Sequence, residues 1–252
     1  MSDDNQTTGN SAEQNAFPLF YTKPEALSPE RHGDLKFDAN AGFAFASKTH
    51  VVPLNVAELA AAARFYPVVF IGDKTPVPVA VLGLRKDENL FVNEDGSWVN
   101  GAYIPAYVRR YPFVFVTDDE QTQFSLCIDR DAPHIVEDGG VALFEGEETS
   151  EATKNALEFC RVYQAQVQGT QSVGASILEK DLLITNQANI SLASGEQLSV
   201  TDFRVVDEKK LNELSDEDFL DLRKSGALAA IYCQMISTGN WSHLIEKSSA
   251  AK

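Results

Sequence analysis

The chain has 252 residues, 44% of them hydrophobic, and its 37 acids against 21 bases leave a formal net charge of −16. That is apolar material for one large domain or two small ones. The charge repels nucleic-acid phosphates and anionic membrane surfaces, so neither is an expected partner; taken as a whole it favours solubility and cationic partners.

Residues 1–16, MSDDNQTTGNSAEQNA, carry early acids and no apolar core, so a disordered polar tail is expected and no secretory signal. No apolar run approaches the ~20 residues of a membrane helix, so no membrane insertion is expected and a cytoplasmic location is the default. Cys127, Cys160 and Cys233 lie far apart without a C-x-x-C pair and read as reduced, partly buried thiols.

Residues 17–37 are rich in proline and charge. They read as an extended lead-in that packs Leu19, Phe20 and Tyr21 on the body. Phe43-Ala44-Phe45 alternates large and small, which predicts a short strand. Residues 51–54 predict a strand ended by Pro53. Asn55 is placed to cap a helix over 56–65, which Pro67 stops. Residues 68–71 and 77–84 predict a hairpin around Gly72-Asp73-Lys74. Asn93-Glu94-Asp95-Gly96 predicts a tight turn between 89–92 and 98–99. Residues 104–110 predict a short helix with Pro105 in its first turn. Residues 113–116 and 124–128 then form another hairpin, turning at 118–121.

Two of these stretches repeat. Arg64-Phe65-Tyr66-Pro67-Val68-Val69-Phe70 matches Arg109-Arg110-Tyr111-Pro112-Phe113-Val114-Phe115 at a constant offset of 45. Each predicts a short helix, a Tyr-Pro break, a strand, a turn and a strand. Either the match is a coincidence among common residues, or the two units pair about a pseudo-dyad in one antiparallel sheet.

Residues 129–151 are acidic and turn-rich and read as surface loop around one short strand at 141–144. Helical spacing over 150–168 predicts a helix with Gly169 as its C-cap. A short helix over 173–183 and a strand over 198–206 follow, then a short helix over 207–214. Ser215 caps a helix over 216–224 whose acids come first and bases last. Gly226 separates this from a helix over 227–236, and residues 241–245 close the chain. The expected organisation is one α+β domain over 17–247, β-rich in antiparallel strands through 148 and helix-rich from 149, with a tail at 248–252.

No phosphate loop, nucleophile elbow or zinc helix occurs, so no catalytic residue is assigned and no cofactor is expected. His32-Gly33-Asp34 spells H-x-D; with His134 or His243 it offers a two-histidine, one-carboxylate metal set, against a plain loop histidine. Asp129 and Asp131, with Glu137 or Asp138, offer a divalent-cation site, against a solvated acidic loop. The densest aromatic and cationic cluster is Trp98, Tyr103, Tyr107, Arg109, Arg110 and Tyr111, residue types that anchor recognition surfaces. The alternative is that its tyrosines fill a core while its arginines pair with local acids.

Several strings resemble the SapC family of bacterial proteins. They are Val52-Pro53-Leu54 with Glu58, Tyr66-Pro67-Val68-Val69-Phe70, Leu82-Gly83-Leu84 with Asn89-Leu90-Phe91-Val92, and Asp95-Gly96-Ser97-Trp98. The most specific is Tyr103-Ile104-Pro105-Ala106-Tyr107-Val108-Arg109-Arg110-Tyr111-Pro112-Phe113, and Val206-Asp207-Glu208-Lys209-Lys210-Leu211 with Gly226 resembles the family's close. The resemblance spans about 17–244. It implies a link to surface-layer protein export or assembly, in a family whose genes also lie near those of outer-membrane receptors and flavin-dependent halogenase-like proteins. It carries no catalytic site over. The leading reading is a non-enzymatic accessory factor that binds a protein or peptide through the Trp98–Tyr111 cluster. The alternatives are a metal-dependent, oxygenase-like or peptide-modifying enzyme using His32, Asp34 and His134, and a structural homo-oligomer subunit.

Overall fold

The architecture follows from where the two Tyr-Pro units land. The computed structural model describes residues 17–117, 124–192 and 194–250. The expected tail at 1–16 and the turn at 118–121 lie outside the described residues. In chain order, β1 (Pro24–Ala26), α1 (Pro29–His32) and β2 (Lys36–Phe37) lead to β3 (Val51–Pro53). Next come α2 (Leu59–Ala62), the hairpin β4 (Val68–Ile71) and β5 (Val77–Val81), α3 (Ala106–Arg109), and the hairpin β6 (Phe113–Thr117) and β7 (Phe124–Asp129). Four two-residue strands follow, β8 (Ile135–Val136), β9 (Val141–Ala142), β10 (Phe144–Glu145) and β11 (Glu148–Thr149). The second half holds α4 (Glu151–Glu179), the long hairpin β12 (Leu183–Ser191) and β13 (Gln197–Val206), then α5 (Glu208–Asn212), α6 (Asp216–Ser225), α7 (Ala227–Ser237) and α8 (Asn240–Ala250). This is the expected α+β arrangement, with most antiparallel pairing early and the helices late.

Both repeat units fold as short helix, Tyr-Pro break and hairpin, but they do not share a sheet. The first hairpin is central in a five-stranded antiparallel sheet of order β12-β13-β4-β5-β3. The second lies in a three-stranded sheet of order β1-β7-β6. Their registers differ too: Val68 pairs with Ala80, twelve residues on, and Phe113 with Ile128, fifteen on. The second hairpin is the longer of the two, and in each sheet a further strand, β3 or β1, lies beside the hairpin's second strand.

Other local expectations yield to packing. Phe43-Ala44-Phe45 enters a 3-10 turn, Ala44–Ala46, instead of a strand. The turn splays its two rings: Phe43 meets Trp98 edge-on at 5.7 Å, while Phe45 stacks on Tyr111 at 4.1 Å. Gly169 does not end a helix, because α4 runs 29 residues through it. A glycine in a helix costs about 1 kcal/mol, which burial of Val173 and Ile177 beyond it outweighs at roughly 1.5–3 kcal/mol each. Gly174 is required there, since a Cβ would sit 2.0 Å from the Pro76 carbonyl oxygen. The expected helix over 173–183 is the last part of α4, and Leu183 already belongs to β12, a polar strand that alternation does not reveal.

Two more corrections concern segments read as surface. The acidic stretch after β7 holds four short strands, not one. The expected tail at 248–252 begins inside α8, where Ser248 is buried and accepts a hydrogen bond from Arg85 at 2.8 Å. Apolar side chains gather in one large cluster around the five-stranded sheet and a second around Tyr111, Phe113 and Ile128. A small third cluster joins Ala106 and Tyr107 of α3 to Tyr163 of α4. Cys127 and Cys160 are buried, Cys233 is half-buried, and all three thiols are free.

Candidate functional site

Glu58 is the carboxylate that sets the second corner in place. It sits three residues after Asn55, and its Oε1 accepts from the Asn55 amide at 2.8 Å, the reach-back half of a capping box. Its Oε2 accepts from the Tyr103 hydroxyl at 2.9 Å and from the Ala106 amide at 2.7 Å. The first unit's helix start therefore satisfies an orphan N–H of α3 in the second unit. Glu58 is buried. Burial, with the carboxylate beside it, pushes the Tyr103 phenol up, so it remains a donor to Glu58.

Arg109 is exposed yet held. Its Nε donates to the Ile104 carbonyl at 3.0 Å and its guanidinium to the Tyr103 hydroxyl at 3.2 Å. The guanidinium lies 5.3 Å from the Phe159 ring of α4. Arg110 points inward, 4.2 Å from the Tyr107 ring, 4.7 Å from Tyr163 and 5.7 Å from Tyr21. Its Nε is enclosed without a hydrogen-bond partner. Among the described residues no carboxylate comes within ion-pair distance of Arg109 or Arg110. Nor do its neighbours supply charge: burial pushes the phenols of Tyr21 and Tyr163 well up, and the Cys160 thiol up to about 11. Arg110 is thus a cation among neutral groups. Ring faces stabilise it by about 0.5–2 kcal/mol each.

The two arginines border a groove of about 280 Å³ between the α3–β6 corner and the first half of α4. Phe37, Phe113, Ala156 and Phe159 supply apolar wall. Such a groove offers two fixed donors to a carboxylate and apolar contact to whatever lies beside it.

The cluster read from the sequence is partly assembled here. Tyr103, Arg109 and Arg110 come together, with Tyr107 beneath Arg110. Tyr111 lines the groove's base, but its hydroxyl is engaged by Asp129 at 3.1 Å. Trp98 stands apart in the large core, 7% exposed, with Nε1 donating to the Tyr66 hydroxyl at 3.2 Å. Sequence reasoning missed Glu58 as a tether, Phe159 as a wall of the groove and Tyr163 as a ring packed on Arg110. The i, i+4 spacing of those two rings on α4 signals one shared helix face, though not what that face meets.

The metal sets do not assemble. His32 is buried with Nδ1 against the Ser28 backbone, whereas Asp34 is exposed. His134 stacks on Phe37 at 6.0 Å and meets Tyr111 edge-on. Among the described residues no group of three His, Cys, Asp or Glu side chains is placed to hold an ion. Asp129 is not solvated either. Wholly buried, it accepts from the Thr22 and Lys23 amides at 3.0 and 2.8 Å as well as from Tyr111.

The SapC family model matches residues 27–244, so the chain belongs to the SapC family. No curated protein and no solved structure matches it. Among the described residues no helix is long and apolar enough to cross a membrane.

Proposed function

We propose that the chain is a non-enzymatic accessory factor that binds a carboxylate-bearing segment of a protein client in the groove beside Arg109 and Arg110. The observation that carries this reading is Arg110, a charged side chain enclosed by neutral rings at the groove with no carboxylate within ion-pair distance among the described residues. A client carboxylate would supply that charge, and Phe37, Phe113 and Phe159 would take the apolar side chain next to it. The SapC resemblance directs the search for a client to surface-layer protein export or assembly. Tagged wild type and an Arg109→Ala/Phe159→Ala variant, used as baits in lysate of the source organism, test it. Clients captured by wild type and lost from the folded variant are expected; identical captures would sink the assignment. Trp98→Ala is unsuited to this test, because the ring belongs to the core.

A second reading, a homo-oligomer, rests on a different surface. Tyr232 and Ile236, one turn apart on α7, are 45% and 74% exposed. Sedimentation velocity of wild type and Ile236→Asp decides it: a shared monomeric coefficient removes the oligomer.

A further inference from the structure

The first Tyr-Pro corner has a groove of its own. It measures about 300 Å³ and lies between Arg64-Phe65 and α8, with Phe91 and Val99 in its wall and His243 and Lys247 at its rim. The 45-residue offset places Arg64 on Arg109 and Phe65 on Arg110. The first corner therefore lacks the second guanidinium, and Lys247 supplies a cation from α8 instead. Arg64 lies 5.4 Å over Phe65, and Lys247 lies 5.1 Å over Phe91. Every cation–π contact among the described residues involves Arg64, Lys247, Arg109 or Arg110, the cations of these two grooves.

Arg64 and Lys247 have no carboxylate within ion-pair distance among the described residues. Glu246 also lines this groove, and it faces the His243 Nδ1 at 3.8 Å. Asn240 lines the groove and fixes its two walls, its Nδ2 donating to the Ala63 and Tyr66 carbonyls at 2.8 and 2.9 Å and pinning the start of α8 to the corner. A pre-formed groove loses less ordering entropy on binding.

We propose that this groove is a second binding site, for an acidic peptide segment. Its carboxylates would meet Arg64 and Lys247, and an apolar side chain would lie between Phe65 and Phe91. Charge complementarity selects an anionic occupant. The apolar wall favours a peptide, where carboxylates and apolar side chains adjoin, over a bare inorganic anion. The site shares its chemistry with the groove at Arg109 and Arg110 but does not depend on it.

The test is to pan a random dodecapeptide library on the immobilised full chain. Enriched peptides are then titrated by fluorescence anisotropy against wild type, Arg64→Gln/Lys247→Gln and Arg109→Gln/Arg110→Gln. Glutamine keeps the polar stem, and thermal midpoints matching wild type verify that each variant is folded. We expect acid-rich peptides with apolar neighbours. One class should weaken about tenfold or more in Arg64→Gln/Lys247→Gln, as loss of charge-assisted hydrogen bonds implies, and change less than about twofold in Arg109→Gln/Arg110→Gln. Acid-rich peptides that all ignore Arg64→Gln/Lys247→Gln overturn the second groove and leave the first standing. Peptides sensitive only to Arg64→Gln/Lys247→Gln support the second groove and remove the first. No enrichment of acid-rich peptides overturns both.

Discussion

The two Tyr-Pro corners carry nearly the same string and are used differently. At the first, Tyr66 is wholly buried, its hydroxyl shared between the Tyr103 carbonyl and Trp98, and its hairpin lies inside the five-stranded sheet. At the second, the Tyr111 hydroxyl holds Asp129, its hairpin belongs to the smaller sheet, and two adjacent arginines border an apolar groove. A repeated string sets local geometry, while the elements packed against it set its role. Glu58 joins the two, since a carboxylate from the first unit holds the helix of the second.

The comparison makes the first corner the mechanical centre, and Trp98→Ala tests that most severely. Removing a buried aromatic should cost about 3–5 kcal/mol, read by urea denaturation; a loss below about 1 kcal/mol would mean that Trp98 is not a core anchor. In the second unit the equivalent anchor is Asp129. Asp129→Asn places an amide among four donors, the Thr22 amide and hydroxyl, the Lys23 amide and the Tyr111 hydroxyl, so a loss of about 2 kcal/mol is expected; unchanged stability would remove the carboxylate as the staple between residues 22–23 and β7.

Titration sharpens the same contrast, because His134 packs against Phe37, Phe45 and Tyr111 beside the second corner. Burial holds its imidazole below the ordinary 6.5, so the unfolded chain binds the proton more readily. That contribution is complete above about 6.5 and is lost as pH falls toward the depressed folded value. Urea midpoints at pH of about 7.5 and about 5.5 should separate more in wild type than in His134→Phe; equal separations refute the assignment. The smallest expected effect is the most telling for the site. Arg110→Met gives up the ring-face attraction but also relieves the cost of burying an unpaired cation, and among the described residues it orphans no carboxylate, so stability should change by less than about 1 kcal/mol, whereas a loss of about 3 kcal/mol would show Arg110 to be a structural ion-pair partner.

Much of the fold was legible because it rests on short-range signals. Pro67 and Pro112 mark the breaks, Asp95-Gly96 the turn, and Ser215 with Gly226 the bounds of α6, where Gly226 takes φ 80°. The misses have tertiary causes. Gly169 looks like a stop until the helix is seen to continue over the first hairpin, and β12 gives no apolar alternation because it is a largely exposed strand held by β13. Of the candidate cluster, the arginines and Tyr103 were legible as a group because one short turn of helix, α3, brings Arg109 back within reach of Tyr103 just before it. Trp98 was drawn in by proximity along the chain, although its ring leaves for the core.

The family, the α+β class, the two Tyr-Pro units and the cationic pair set in an acidic chain are all readable from the residues in order. Each of these depends on residue identity at fixed spacing. Tertiary contacts set the rest: the units occupy different sheets, Asp129 is a buried staple, and Arg110 has rings around it where pairing with local acids was the alternative. Those outcomes depend on contacts between residues far apart in the chain, such as Glu58 with Ala106 and Arg110 with Tyr163, and such pairings leave no periodic trace in a single sequence.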